Sequence, residues 1–184
     1  MGNQDIRRVL ILAAGLPGVG KSTISRKVSA KIQARTVDID DFKRTEVDPA
    51  LVAQQIDPPE IRWRYYQKAL EYVSSLFDQG VSVVVMDEVF HLSALRAQME
   101  ALCAKQNVQV LWVEVRCPYA TVEKRLCSQE RESHILSTAE ALNMHLMFRE
   151  IFEKFPANAE NHLVIDNEDD ANVDALVEKI LERC

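Results

Sequence analysis

The nine residues Gly15-Leu16-Pro17-Gly18-Val19-Gly20-Lys21-Ser22-Thr23 constrain the fold of this chain more than any other segment. They fit the spacing G-x-x-x-x-G-K-[ST]. An apolar run at 9–14 precedes them, and a helical pattern placing Ile24, Val28 and Ile32 on one face follows. The spacing predicts a strand, a loop and a helix in direct succession. Glycines let such a loop curl until its N–H groups converge on a phosphate chain, and the start of the helix adds the positive end of its dipole. Gly15, Pro17, Gly18, Val19, Gly20, Lys21, Ser22 and Thr23 are therefore the expected binding residues for a nucleoside triphosphate. Lys21 should reach the β- and γ-phosphates, and the Ser22 hydroxyl should ligate the Mg²⁺ that bridges them. Thr23 fits packing or capping as well. A glycine-rich turn without a ligand is the plain alternative, but flanks, spacing and position agree on a phosphate loop.

A length of 184 residues suits one α/β domain with a real core, so a single domain over 1–184 is expected. With 47% hydrophobic and 27% charged residues the composition is that of a soluble globule, and no apolar run is long enough to cross a bilayer. The first residues lack a secretory pattern, and Ile6 stands where a myristoylation signal has Ser or Thr; a cytoplasmic location is the default expectation. Cys103, Cys117, Cys127 and Cys184 show no C-x-x-C pairing and read as free thiols rather than a zinc site. The net charge of −6 argues against duplex nucleic acid as a partner, while leaving a local basic groove possible. Nothing in the sequence speaks to oligomeric state.

After the first helix, Arg35-Thr36-Val37-Asp38-Ile39 reads as a second strand ending in the acidic pair Asp40-Asp41. Residues 43–59 look irregular, and a helix is expected from about Glu60 to Asp78, ended by Gly80. The β-branched run 81–86 suits a strand buried on both faces of a parallel sheet and delivers Asp87 and Glu88 to its C-terminal end. Leu95, Met99 and Leu102 mark another helix, 108–115 a strand, and Pro118 the opening of a further helix. Ser137-x-x-Glu140 is a capping-box signature for a helix through about Phe155, and 162–165 and 173–181 supply a last strand and helix. Strand and helix alternate about five times. The expectation is a three-layer, doubly wound, mainly parallel five-stranded sheet that binds ligands at the strand C-terminal ends.

Phosphoryl transfer also needs an aligned acceptor hydroxyl and positive charge around the transferring group. Asp40, just past the second strand, is the candidate to accept or orient the hydroxyl proton, the alternative being that Asp40-Asp41 caps the segment that follows. Asp87 is the candidate acid for the metal, or else a loop cap. Glu88 is ambiguous between polarising water and contacting an acceptor. Arg125 and Arg131 bracket a charged stretch at about 125–137 that reads as a lid over the γ-phosphate. For Arg125 a solvated helix face beside Glu123 and Lys124 is an equal reading. Arg62-Trp63-Arg64-Tyr65-Tyr66 could line an acceptor pocket, with Arg64 as a substrate-binding candidate and Tyr66 turned to the core. His91, His134, His145 and His162 are dispersed and read as structural or exposed.

This constellation resembles the P-loop kinase superfamily that includes gluconate kinases, polynucleotide 5′-hydroxyl kinases, zeta-toxin-type kinases and chloramphenicol phosphotransferase. The phosphate loop is the most specific part of the resemblance, and Asp38-Ile39-Asp40-Asp41-Phe42-Lys43 is similar to the acidic segment ending the second strand in gluconate and polynucleotide kinases. The resemblance implies that Asp40 activates the hydroxyl. It also implies that Lys43 stands where polynucleotide kinases carry an arginine holding a substrate phosphate, so that Lys43 joins Asp40 and Arg64 on the substrate side. Val113-Glu114-Val115-Arg116-Cys117-Pro118, running into Arg125 and Arg131, looks like the fourth strand and arginine-bearing lid. Leu163-Val164-Ile165-Asp166 resembles the final strand near which adenine lies. Asp87-Glu88-Val89 departs from the Asp-Ala-Thr type ending of relatives, which leaves the acceptor class open.

The expected activity is transfer of the γ-phosphate of ATP, with Mg²⁺, to a hydroxyl of a small polar acceptor such as a sugar acid, a nucleoside or an antibiotic. Residues at about 43–79 would form the acceptor-binding helical segment. Lys21, Arg131 and Arg125 would serve the transferring phosphoryl, Ser22 and Asp87 the metal, and Asp40 the hydroxyl. A polynucleotide 5′-hydroxyl kinase is one alternative. A regulatory ATPase that passes phosphate only to water is another, although no Asn-Lys-x-Asp guanine-reading motif appears.

Overall fold

The computed structural model describes residues 7–48, 56–128, 137–157, 159–169 and 172–183. Its strands are β1 (Arg8–Ala14), β2 (Arg35–Asp38), β3 (Val83–Glu88), β4 (Val108–Arg116) and β5 (His162–Asp166). They form one sheet in the order β2-β3-β1-β4-β5, parallel throughout. The helices are α1 (Lys21–Ile32), α2 (Ile39–Lys43), α3 (Pro59–Asp78), α4 (Ser93–Lys105), α5 (Tyr119–Ser128), α6 (Thr138–Ile151) and α7 (Val173–Leu181).

Side chains that alternate along the strands divide the core in two. Leu10, Leu12, Val84, Met86, Val110 and Trp112 face one way and pack with Tyr66, Ala69, Leu70, Val73 and Phe77 of α3 and Leu95 and Met99 of α4. Val9, Ile11, Val85, Leu111, Val113 and Val115 face the other way, against Ile24 and Val28 of α1, Val122 and Leu126 of α5 and Leu176, Val177 and Ile180 of α7. Apolar residues on both faces of the central strands leave only a three-layer arrangement able to keep them from water.

Because every strand runs the same way, all C-terminal ends lie along one edge. Register pairs Ala14 with Glu88, and Ala13 with Asp87, which is itself level with Asp38. The phosphate-loop segment leaves β1 at the centre of this edge. There the chain order reverses, with β2 and β3 on one side and β4 and β5 on the other, which is where open α/β sheets bind ligands.

Several boundaries differ from the sequence reading, three of them in ways that move named residues. β2 stops at Asp38, because the Asp38 carboxylate accepts a hydrogen bond from the Asp40 N–H at 2.9 Å and so caps α2, putting Asp40 in a helical first turn rather than at a strand end. β3 starts at Val83 rather than Val81 and runs through Glu88, so Asp87 and Glu88 are the last strand residues instead of following it. α6 keeps the predicted Ser137–Glu140 capping box but ends at Ile151, with Phe152 extended. Phe155 packs instead against His162 and Trp112, with its ring under the Arg96 guanidinium.

Candidate active site

The loop between β1 and α1 is built on three glycines of positive φ, Gly15 at +148°, Gly18 at +82° and Gly20 at +94°. A Cβ on Gly20 would lie 2.3 Å from Asn167 Nδ2, so both backbone conformation and space demand glycine there. Lys21 opens α1 and folds back over the loop, its Nζ donating to the Leu16 carbonyl at 3.0 Å. Burial pulls the Lys21 pKa below its ordinary value, while Asp87, Glu88 and Asp40 act against that shift. Two side chains grip the loop from outside: Asn167 Nδ2 donates to the Val19 carbonyl at 2.8 Å, and His145 Nδ1 lies 2.7 Å from the Pro17 carbonyl.

One step along α1, the Ser22 hydroxyl donates to Asp87 Oδ2 at 2.7 Å. Burial raises the Asp87 pKa, opposed by that hydrogen bond and by Lys21. A hydroxyl and a carboxylate side by side are the hard oxygen donors Mg²⁺ takes.

The next group along the sheet edge is acidic. Asp40 is exposed, yet the protein packed on its inner side and the nearby carboxylates of Glu88 and Asp38 raise its pKa to about 6, with Lys43 and Arg44 opposing. Asp41 instead turns outward to Arg44 at 2.8 Å. Glu88 is held from both sides, one oxygen taken by the Arg62 guanidinium and the other by the Val89 N–H. Burial alone would raise the Glu88 pKa, but Arg62, the Val89 N–H, Lys43 and Lys21 outweigh it and hold the carboxyl below its ordinary value. Asp57, also buried, accepts from the Tyr65 hydroxyl at 3.1 Å and pairs with Lys43 at 2.9 Å and with Arg62 at 3.7 Å.

Asp40 and Lys43 therefore share this corner with Lys21, Ser22 and Asp87, and Arg64 does not. Two residues along a helix is a turn of about 200°. Arg64 thus emerges on the opposite face of α3 from Arg62, exposed beside Glu46, Gln67, Lys68 and Glu71. Arg62 is the arginine that reaches the crevice side, only 1% exposed. The signal for this was its phase with Tyr65, Tyr66 and Ala69, the spacing of a buried face.

On the other flank, Arg125 Nη1 donates to the Asn167 carbonyl at 2.9 Å and contacts Cys117 Sγ at 3.2 Å, anchoring α5 to the loop after β5. Arg131 and His134 lie outside the described residues, as does most of the expected lid. His162 pairs with Glu114 at 3.0 Å. His91 is buried, and that burial, with Arg62 nearby, lowers its pKa to about 4. Asn167 and Asp57 carried no motif in the sequence. No helix among the described residues is long and apolar enough to cross a membrane.

A family model described as an AAA domain matches residues 10–151. No curated protein matches the chain. Among solved structures, a sugar kinase from Janibacter sp. HTCC2649 is similar at 19% identity and a TM-score of 0.72, covering 96% of this chain and 93% of that one. A gluconokinase from Sinorhizobium meliloti 1021 aligns at 13% identity and a TM-score of 0.64, covering 98% of this chain and 99% of its own. The Mycobacterium tuberculosis APS kinase, solved with AMPPNP and APS, aligns at 18% identity and a TM-score of 0.61, covering 96% and 97%. At such identities the likeness is one of fold, and the fold is that of the P-loop kinases.

Proposed function

The chain belongs to the AAA domain family and has the P-loop kinase fold, and from that premise we propose that it is a kinase transferring the γ-phosphate of ATP to a hydroxyl of a small polar acceptor. The observation that carries this reading is Asp40: a carboxylate with a pKa raised to about 6, within electrostatic reach of Lys21 and Glu88 at the mouth of the phosphate loop. A base tuned toward neutral pH is what hydroxyl activation requires and what nucleotide binding alone does not.

In this reading the loop N–H groups and Lys21 hold the phosphates. Ser22 and Asp87 would hold Mg²⁺, whose adjacent oxygen donors fit it; bound there, the ion would neutralise phosphate charge. Deprotonated Asp40 accepts the proton of the acceptor hydroxyl as that oxygen bonds to the γ-phosphorus and the bond to the β-bridging oxygen breaks, leaving ADP. Arg131 is assigned to the transferring group. Arg125, tethered at the Asn167 carbonyl, holds α5 to the loop after β5. Lys43, paired with Asp57, and Arg62 border the acceptor side.

Transfer to water alone is the lesser reading, because Glu88, the residue that would polarise the water, already has both carboxylate oxygens engaged. A polynucleotide acceptor is also less favoured: Lys43 is committed to a buried carboxylate, and Arg64 faces away. Sugars, sugar acids and nucleosides remain the leading acceptors, and they take in the sugar and gluconate substrates named for two of the similar structures. The test is transfer of label from γ-labelled ATP with Mg²⁺ across sugars, sugar acids, nucleosides, aminoglycosides, phenicols and 5′-hydroxyl oligonucleotides, with an acceptor-free control. Label on one acceptor class is expected; equal free phosphate in every reaction would overturn the kinase assignment.

A further inference from the structure

The two external grips on the phosphate loop fall on alternate peptide units, Pro17–Gly18 and Val19–Gly20. In a planar trans peptide the C=O and the N–H point in opposite directions. Holding the Pro17 and Val19 carbonyls outward therefore turns the Gly18 and Gly20 N–H groups the other way. Each unit ends at a glycine with positive φ, the residue type that opposes a peptide flip least. The one local hold among the described residues, the Val19 N–H donating to the Leu16 carbonyl at 3.5 Å, closes a turn whose central Pro17–Gly18 peptide can still flip, so the outer holds decide where the donors aim.

The holding groups are placed to do this. Asn167 is 2% exposed, and its own backbone is pinned at both ends, its N–H donating to the Arg116 carbonyl at 2.8 Å and its carbonyl accepting from Arg125. A carbonyl only accepts, so the amide must present Nδ2 to Val19. Its Oδ1 is left buried without a hydrogen-bond partner among the described residues. An unpartnered amide oxygen is a cost that a hydrocarbon side chain would avoid, and the Val19 contact is what the amide gives in return. His145, also 2% exposed, projects from α6 with its ring against Tyr119 and must carry its proton on Nδ1 to meet Pro17.

We propose that Asn167 and His145 are positioning residues that aim the Gly18 and Gly20 N–H groups at the nucleotide phosphates by holding the Val19 and Pro17 carbonyls from behind. This rests on the phosphate-loop reading above. It extends that reading to two residues from α6 and the loop after β5, far along the chain from the motif. One consequence is that α6, which follows the expected lid segment, is coupled directly to the shape of the loop.

The test is titration of the full chain with mant-ATP and Mg²⁺, together with nucleotide-free melting, for Asn167→Asp, Asn167→Ala, His145→Phe and His145→Asn. Asn167→Asp keeps the shape but replaces the donor with an acceptor, and His145→Phe keeps a ring but removes the donor. Each should weaken mant-ATP binding by about tenfold, the scale of one lost buried hydrogen bond. His145→Asn, whose amide N–H sits where Nδ1 does, should bind within about threefold of the parent while melting no higher than His145→Phe. Binding by Asn167→Asp and His145→Phe within about twofold of the parent would overturn the proposal, as would a His145→Asn loss equal to that of His145→Phe. Should Asn167→Asp not fold, Asn167→Ala and His145→Phe carry the same comparison. A parent that binds no triphosphate overturns the phosphate-loop reading and this inference with it, whereas a parent that binds beside unaffected variants overturns this inference alone.

Discussion

Ser22 and Asp87 meet at the mouth of the phosphate loop, hydroxyl to carboxylate at 2.7 Å, from the first turn of a helix and the last residues of a strand 65 positions away. Asp87→Asn keeps an oxygen that accepts from Ser22 but removes the charge. Turnover at low Mg²⁺ is expected to fall by about 10²-fold, with part of it restored at high Mg²⁺ or with Mn²⁺, and nucleotide affinity without metal should stay unchanged. A Mg²⁺ titration of initial rates checks this.

Asp40 gives a pH signature. Its pKa is raised to about 6, and a base works only when deprotonated, so activity should fall as pH drops through 6 and level off above it. Asp40→Asn should lose that acid limb and lower kcat by about 10²- to 10⁴-fold, with KM for ATP moving less than about threefold. A kcat/KM profile from pH 5 to 8 for both proteins decides the point.

Gly20→Ala introduces a Cβ where Asn167 Nδ2 sits 2.3 Å away, on a backbone at φ +94°. The side chain of Asn167 must leave Val19 or the loop must shift. Strain of this kind costs about 1–3 kcal/mol, and the variant should lose at least tenfold in ATP affinity. Thermal melting with and without ATP–Mg²⁺ should show a ligand-induced rise for the parent and little for the variant.

Much of the fold and part of the candidate site were legible in the sequence because local rules carry them. The phosphate loop is a contiguous backbone motif, the strands follow from β-branched and apolar runs even where their ends do not, and Ser137–Glu140 is a capping box visible at fixed spacing. What escaped was set by distant packing. Asn167 has meaning only because β5 lies beside β4 and brings it to the Val19 carbonyl, a contact 148 positions apart for which no local pattern exists. Arg62 and Arg64 look equivalent as letters, and only helix phase separates a buried ion-pair centre from a solvated surface arginine. α6 stops short of Phe155 because Phe152 and Phe155, which continue its apolar pattern, are claimed for a different surface by tertiary contacts with Arg96 and Trp112.

The Arg62–Glu88 pair sets stability, and pH reads its sign. Arg62→Met removes the cation that one Glu88 oxygen meets while leaving Asp57 buried and Glu88 half-buried, which should cost about 3–5 kcal/mol at neutral pH in urea unfolding. In the parent the folded-state pKa of Glu88 lies below its ordinary 4.5, so this carboxylate's stabilising contribution is complete above that value and is lost as pH falls through the depressed one. Without Arg62 the desolvation that already opposes ionisation would dominate. The folded-state pKa would then rise above 4.5, and stability would be regained as Glu88 protonates. The gap between parent and variant should therefore narrow as pH is lowered from 7 toward 4. A gap that stays constant across that range would mean that Glu88 does not depend on Arg62 for its charge.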